Sequence, residues 1–166
     1  MATRTRFGAP WGRELTVLSA IGVLTIGIAS VMAFTRGGWL AGSLLVAILA
    51  IPVSQIIRGY EVRRGELTVR RLLWNTRWPL HDRTVASFRP HVMANSWRTW
   101  GNGGLFSYTG RFANTALQRY QAFVTDLGRT VVLDTPKGVL VVSPDDPVAF
   151  SAALADVNDS VDDRRM

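Results

Sequence analysis

The chain has 166 residues, 48% of them apolar, and a formal net charge of +7. All but one of its 19 basic residues are arginines, the exception being Lys137, and cysteine is absent, which excludes disulfides, thiolate metal sites and cysteine nucleophiles. Much of the apolar content is concentrated in the first third, leaving a more polar remainder of the size of one soluble domain rather than two.

A basic N-terminal segment, residues 1–13 with Arg4, Arg6 and Arg13, leads into two uncharged stretches at 15–35 and 37–57, separated only by Arg36. At about 1.5 Å per residue, each covers about 30 Å as a helix, the thickness of a bilayer's hydrocarbon core. The turn at Arg36, Gly37 and Gly38 is too short to hold a domain. Residues 14–57 are therefore expected to form a transmembrane helical hairpin with both chain ends on one side. Arg58, Arg63 and Arg64 follow the second stretch closely, with Arg70 and Arg71 beyond. Basic flanks are retained in the cytoplasm, so the sequence predicts a multi-pass protein of the cell inner membrane with both termini cytoplasmic. A cleaved signal peptide has a shorter apolar region and no second span after it. Neither stretch contains an acid, a base or a histidine, which argues against an ion or proton pathway. In the second stretch Gly38 and Gly42, Ser43 and Ala47, and Ala50 and Ser54 are small pairs at i,i+4, the spacing of close helix packing. Pro52 is expected to disturb the last turns.

Beyond residue 57 short strand-like runs alternate with turn residues. Residues 60–63 and 66–74 read as a hairpin around Arg64 and Gly65, followed by runs at 76–80, 85–90, 119–126, 130–133 and 139–142. Val131 and Leu133 would share one strand face, as would Val139 and Val141, yet Val132, Leu140 and Val142 make the other face apolar too. A sheet buried on both faces, or one closed and then covered, fits that pattern. A helix closes the domain, with Ser143 as expected N-cap, Pro144 at the first helical position and Asp146 three residues after the cap. Phe150, Ala153 and Leu154 form its apolar stripe. The cytoplasmic domain is thus expected over 58–156, with a charged tail at 157–166.

This order of elements resembles the membrane-anchored bacterial pleckstrin-homology-like (PH-like) family. The resemblance rests on Tyr60-Glu61-Val62 leading to Leu67-Thr68-Val69-Arg70-Arg71, on Trp78-Pro79-Leu80, on Trp100-Gly101-Asn102-Gly103-Gly104-Leu105-Phe106, on Ala122-Phe123-Val124-Thr125-Asp126, and on Val142-Ser143-Pro144-Asp145-Asp146-Pro147. It implies a membrane α-hairpin followed by a mainly β domain: a bent antiparallel sheet, near-closed as a barrel, with one C-terminal helix. It implies neither a ligand nor a reaction.

The interval 93–118 reads as a long loop between strands. It holds Trp97, Trp100, Phe106, Tyr108 and Phe112 interleaved with glycines and with Arg98 and Arg111. A structureless loop of that length is uncommon in a compact domain unless it has a role. These seven residues are the candidate contacts, either with a membrane interface or partner or back onto the sheet and hairpin. Gly101-Asn102-Gly103-Gly104 is not a dinucleotide fingerprint, because the third glycine would fall at Phe106, and no P-loop lysine and hydroxyl follow. An RNA-recognition signature is missing, so no nucleic-acid partner is expected.

His81 and His91 are the only histidines, and no nucleophile elbow or zinc-helix motif is present. Asp145 and Asp146 lack a third ligand at a metal-site spacing. No enzyme activity, cofactor or metal is expected. The expected function is non-catalytic: a PH-like domain held at the cytoplasmic membrane face to bind a protein partner, lipid headgroups, or both. The alternative is an accessory subunit of a membrane complex that uses the hairpin as its interface. The sequence is also compatible with a homo-oligomer.

Overall fold

The first apolar stretch folds as the helix α1 (Arg13–Thr35), which a tight turn at Arg36 and Gly37 connects to α2 (Trp39–Ser54). The two pack together as a helical hairpin. Gly42 lets them approach, since a Cβ there would lie 2.7 Å from the Phe34 ring, and the tilted rings of Phe34 and Trp39 meet across the turn at 5.5 Å. In this computed structural model, which describes residues 5–63, 65–80 and 84–162 with side chains as far as 156, α1 is long and apolar enough to cross a membrane. The second helix is shorter than its 21 uncharged residues suggest. Helix α2 has 16 residues, about 24 Å at 1.5 Å per residue, and is classed with the shorter apolar helices. After Pro52 the chain leaves the helix through short turns, Gln55 and Ile56 donating to the carbonyls of Pro52 and Val53. Ile57 then enters a strand with 1% exposure. Its apolarity belongs to the domain core, which composition alone does not separate from a lipid-facing residue.

The segment before α1 is also structured. Strand β1 (Thr5–Gly8) pairs antiparallel with β2 (Ile57–Arg63), Thr5 opposite Val62 and Gly8 opposite Gly59. Next come β3 (Glu66–Arg71) and β4 (Asn75–Pro79), giving a four-stranded sheet in the order β1-β2-β3-β4. Its outer face is charged, with Glu61 between Arg6 (3.5 Å) and Arg63, and Glu66 near Arg77 (3.7 Å). Arg6 and Arg63, read from sequence as topogenic, therefore also neutralise a buried carboxylate. Arg13 opens α1 and Arg58 is exposed on β2, whereas Arg4, Arg64 and His81 lie outside the described residues.

The second sheet has six strands: β5 (Ala86–Phe88), β6 (Trp97–Gly103), β7 (Tyr108–Asn114), β8 (Gln118–Val124), β9 (Val131–Thr135) and β10 (Gly138–Val142), ordered β5-β9-β10-β8-β7-β6. Two findings correct the expected single antiparallel sheet. The strands divide into two sheets, and β10 runs parallel to β8. The long loop expected over 93–118 is replaced by the β6–β7 hairpin. Its strands close on a glycine pair, Gly101 opposite Gly110, both at positive φ; a Cβ on either would come within 2.2 Å of the facing strand's carbonyl oxygen.

The core lies on both faces of the six-stranded sheet, as its apolar strands predicted. Val131, Leu133, Leu140, Val142 and Phe123 pack towards the first sheet, against Tyr60, Val62, Leu67 and Val69. Ala122, Val124, Val132 and Val141 face the other way, where Met93 and Phe112 cover them. The last helix, α3 (Pro147–Asp162), buries Phe150 and Leu154 in the first cluster and runs past the expected start of the charged tail. Its cap is Asp146, whose carboxylate accepts from the backbone N–H groups of Val148 and Ala149. The expected cap, Ser143, is instead buried and accepts from the N–H groups of Thr125 and Asp126.

Tyr60 fastens the two sheets together. Its hydroxyl donates to the Phe123 carbonyl at 2.7 Å and accepts from the Ser143 N–H at 3.2 Å. Burial pushes the phenol up to about 12, hydrogen bonds with Ser143 and Thr125 opposing the rise. A raised value means that the fold favours the neutral phenol, so this contribution is full below about pH 10 and is lost as pH climbs through about 12. Chemical denaturation should show stability falling across that window. Tyr60→Phe should remove the alkaline loss while costing about 1–3 kcal/mol at neutral pH, because it leaves buried backbone groups without their partner.

Candidate functional site

Every strand has one end near the helical hairpin and one far from it. At the near end the backbone N–H of Gly12 donates to the Thr125 carbonyl, and Leu72 N–H donates to the Ile56 carbonyl just past α2. The turn of the β6–β7 hairpin docks on α1 here: Phe106 N–H donates to Ser19 Oγ at 2.9 Å, Trp11 and Phe106 rings lie 6.0 Å apart, and Leu105 covers Gly22. Asn102 holds this turn by accepting from Leu105 N–H. The Gly101-Asn102-Gly103-Gly104 run is thus a hairpin end. Around the same level, Leu72, Leu73, Trp74 and Trp11 are exposed, Leu73 by 72%.

The two sheets part between their edge strands β4 and β6. First-sheet cover stops at β4, so the inner face of β7 and β6 stays open as a cleft of about 800 Å³. Trp78 of β4, Trp100 of β6, Arg111 of β7, Arg119 and Gln121 of β8, and Lys137 of the β9–β10 turn line it, with no carboxylate among the lining residues. The Trp78 indole N–H donates to Thr135 Oγ1 at 2.8 Å, its ring meets Phe123 edge-on at 6.2 Å, and the Lys137 ammonium sits 5.7 Å from its centre. A fixed aromatic wall beside three cations suits a ligand that combines negative charge with an apolar group.

Phe123 continues this wall towards the hairpin, where the Arg71 guanidinium lies 5.0 Å from its ring and 5.6 Å from Trp74. Burial pushes Arg71 below its usual value, and its buried Nε has no hydrogen-bond acceptor among the described residues.

The seven candidate residues occupy four places. Trp100 and Arg111 line the cleft. Arg98, Tyr108 and Phe112 line a smaller depression on the opposite face with Met93, where burial, then the Glu14 carboxylate, push the Tyr108 phenol up. Phe106 is buried against α1, and Trp97 is exposed on the half of β6 away from the helices. Trp78, Arg119 and Lys137 were not among the contacts expected from the sequence. Each sits in a different segment, and only the folding of β4, β8 and the β9–β10 turn around one opening joins them.

This division separates packing from contact. Trp100→Ser should leave the thermal midpoint unchanged, since the side chain is 78% exposed. Phe112→Ser and Phe106→Ser should each destabilise the protein by about 3–5 kcal/mol, the usual loss for a truncated core aromatic. A large loss at Trp100 would show that its ring is held in the fold.

Residues 58–158 match the family model described as Bacterial PH domain. No curated protein and no solved structure matches the chain. The matched segment spans β2 to β10 and the greater part of α3, while β1, which completes the first sheet, comes from before the helices. With more than half of its length in that match, the chain belongs to the bacterial PH domain family, whose fold suggests a binding or interaction role.

Proposed function

We propose that this protein is a non-catalytic membrane protein whose helical hairpin seats the PH-like domain against the cytoplasmic face of a bilayer, where the domain binds a protein partner. The observation that carries the reading is the continuity of apolar surface from the helices onto the near end of the domain. Val17, Leu18, Ile21 and Leu24 are exposed on α1, and Leu72, Leu73, Trp74 and Trp11 are exposed beside its base. Tryptophan favours the headgroup zone, where its ring is half buried and its N–H stays wet, and Arg13, Arg58 and Arg70 at this end suit anionic lipid. Because β1 and β2 pair, the hairpin leaves and returns on one side of whatever it enters. The arginine bias makes that side cytoplasmic. Confinement in the plane of a membrane raises the effective concentration of a weak binding module for partners in the same plane.

Lipid headgroups are a second ligand at the near end, held by the same arginines. The accessory-subunit reading is favoured by one observation: Ser43, Ala47 and Ala50 remain exposed on α2 after Gly42 has been used within the hairpin, leaving small residues for another helix. Catalysis is set aside because neither the sequence nor the cleft gathers an acid, a base and a nucleophile.

Single-tryptophan variants of the full chain in bilayers with brominated acyl chains test the seating. Trp11, Trp39 and Trp74 should be quenched, and Trp97 and Trp100 should not. Reporters before Ala2 and after Met166 should both read cytoplasm, while one at Gly37 reads the opposite side. Quenching of Trp100 equal to that of Trp74, or an external C-terminus, would overturn the arrangement.

A further inference from the structure

The cleft between β4 and β6 opens away from the proposed membrane seat. Trp78 pairs with Leu67, which pairs with Val62, five positions along β2 from Ile57; at about 3.3 Å per residue this is about 16 Å from the helical end. Arg111 lies three positions along β7 from Tyr108, about 10 Å by the same rise. The headgroup layer on each side of a bilayer is only about 5–8 Å thick. Both positions lie beyond that layer along their strands, which favours a ligand that comes from the aqueous side.

Its chemistry follows from the lining. Arg111, Arg119 and Lys137 present three cations with no carboxylate among the lining residues, and Trp78 and Trp100 present aromatic faces. Both strands flanking the opening are sheet edges, each carrying a row of main-chain donors and acceptors that has no neighbouring strand in its own sheet. Free edges of this kind take an extended peptide as an added strand, with alternate side chains directed to one face. A strand laid along β6 would direct every second side chain towards the cations, and an apolar side chain would rest on the indoles.

We propose that this cleft is a docking groove for an extended acidic segment of a partner protein, bearing an aromatic or apolar residue among its carboxylates. The proposal rests on the reading of the chain as a binding module and names the chemistry of its partner.

The test uses the full chain in detergent micelles and a fluorescent synthetic peptide of alternating glutamate and tyrosine. Anisotropy should show binding that weakens with added salt. Arg111→Glu, Arg119→Glu and Lys137→Glu should each weaken it by about tenfold or more, and Trp100→Ala should weaken it without altering the salt dependence. Arg98→Glu, on the opposite face of β6, should leave it unchanged, and all variants should keep the wild-type thermal midpoint. Absence of peptide binding at low salt, or an equal loss in Arg98→Glu, overturns the groove. So does stronger binding of anionic vesicles or of single-stranded oligonucleotide through the same three cations. The outcome is separable from the membrane reading: a chain that fails the peptide assay yet passes the quenching experiment loses only the groove, and one that binds peptide but is not quenched loses only the seat.

Discussion

The pairing of β1 with β2 is the constraint on which the rest of the molecule depends. It turns the helical hairpin into the connection between two neighbouring antiparallel strands, so the helices are an insertion in the sheet rather than a separate anchor on a linker. Only residues 9–12 and 55–56 intervene between strand and helix. Gly59 makes the pairing close, since a Cβ at this position would sit 2.5 Å from the Phe7 carbonyl oxygen. Phe7 itself meets Phe150 of α3 edge-to-face at 5.1 Å. The strand that leads into the first helix is thus held at once by the sheet and by the C-terminal helix.

A second attachment comes from the far side of the fold. The β6–β7 hairpin reaches α1 through Leu105, Phe106 and the Ser19 hydroxyl, so the helices contact the domain through both sheets. Where the inner face of β6 and β7 lines the cleft, it carries Trp100 and Arg111 rather than core residues. Polar and aromatic side chains are tolerated where one face of an antiparallel sheet meets water.

How much of this was legible varied with the physical signal. Strands β2, β3, β9 and β10 announce themselves through β-branched runs between turn residues, and α3 through its spaced apolar residues. The cap moved by three positions because Ser143 had a stronger competitor for its hydroxyl, the buried N–H groups at the end of β8. The β6–β7 hairpin was hidden because glycines and a bulge between Arg98 and Trp100 break the alternation that marks a strand. Strand β1 was hidden behind its one arginine, Arg6, whose charge is met across strands by Glu61. The cleft was least legible, since its lining comes from β4, β6, β7, β8, β10 and a turn; of the seven singled-out residues, only Trp100 and Arg111 reached it.

The unequal helices carry a mechanical consequence. The 23 residues of α1 cover about 34 Å, whereas the 16 of α2 cover about 24 Å. A typical hydrocarbon core is about 30 Å thick, so α1 matches it and α2 falls short. Seated in a bilayer as proposed, the hairpin would thin the membrane around α2, at a fraction of a kcal/mol per Å of mismatch. In that setting the hairpin would act as a thickness gauge, favouring the thinner regions of the membrane.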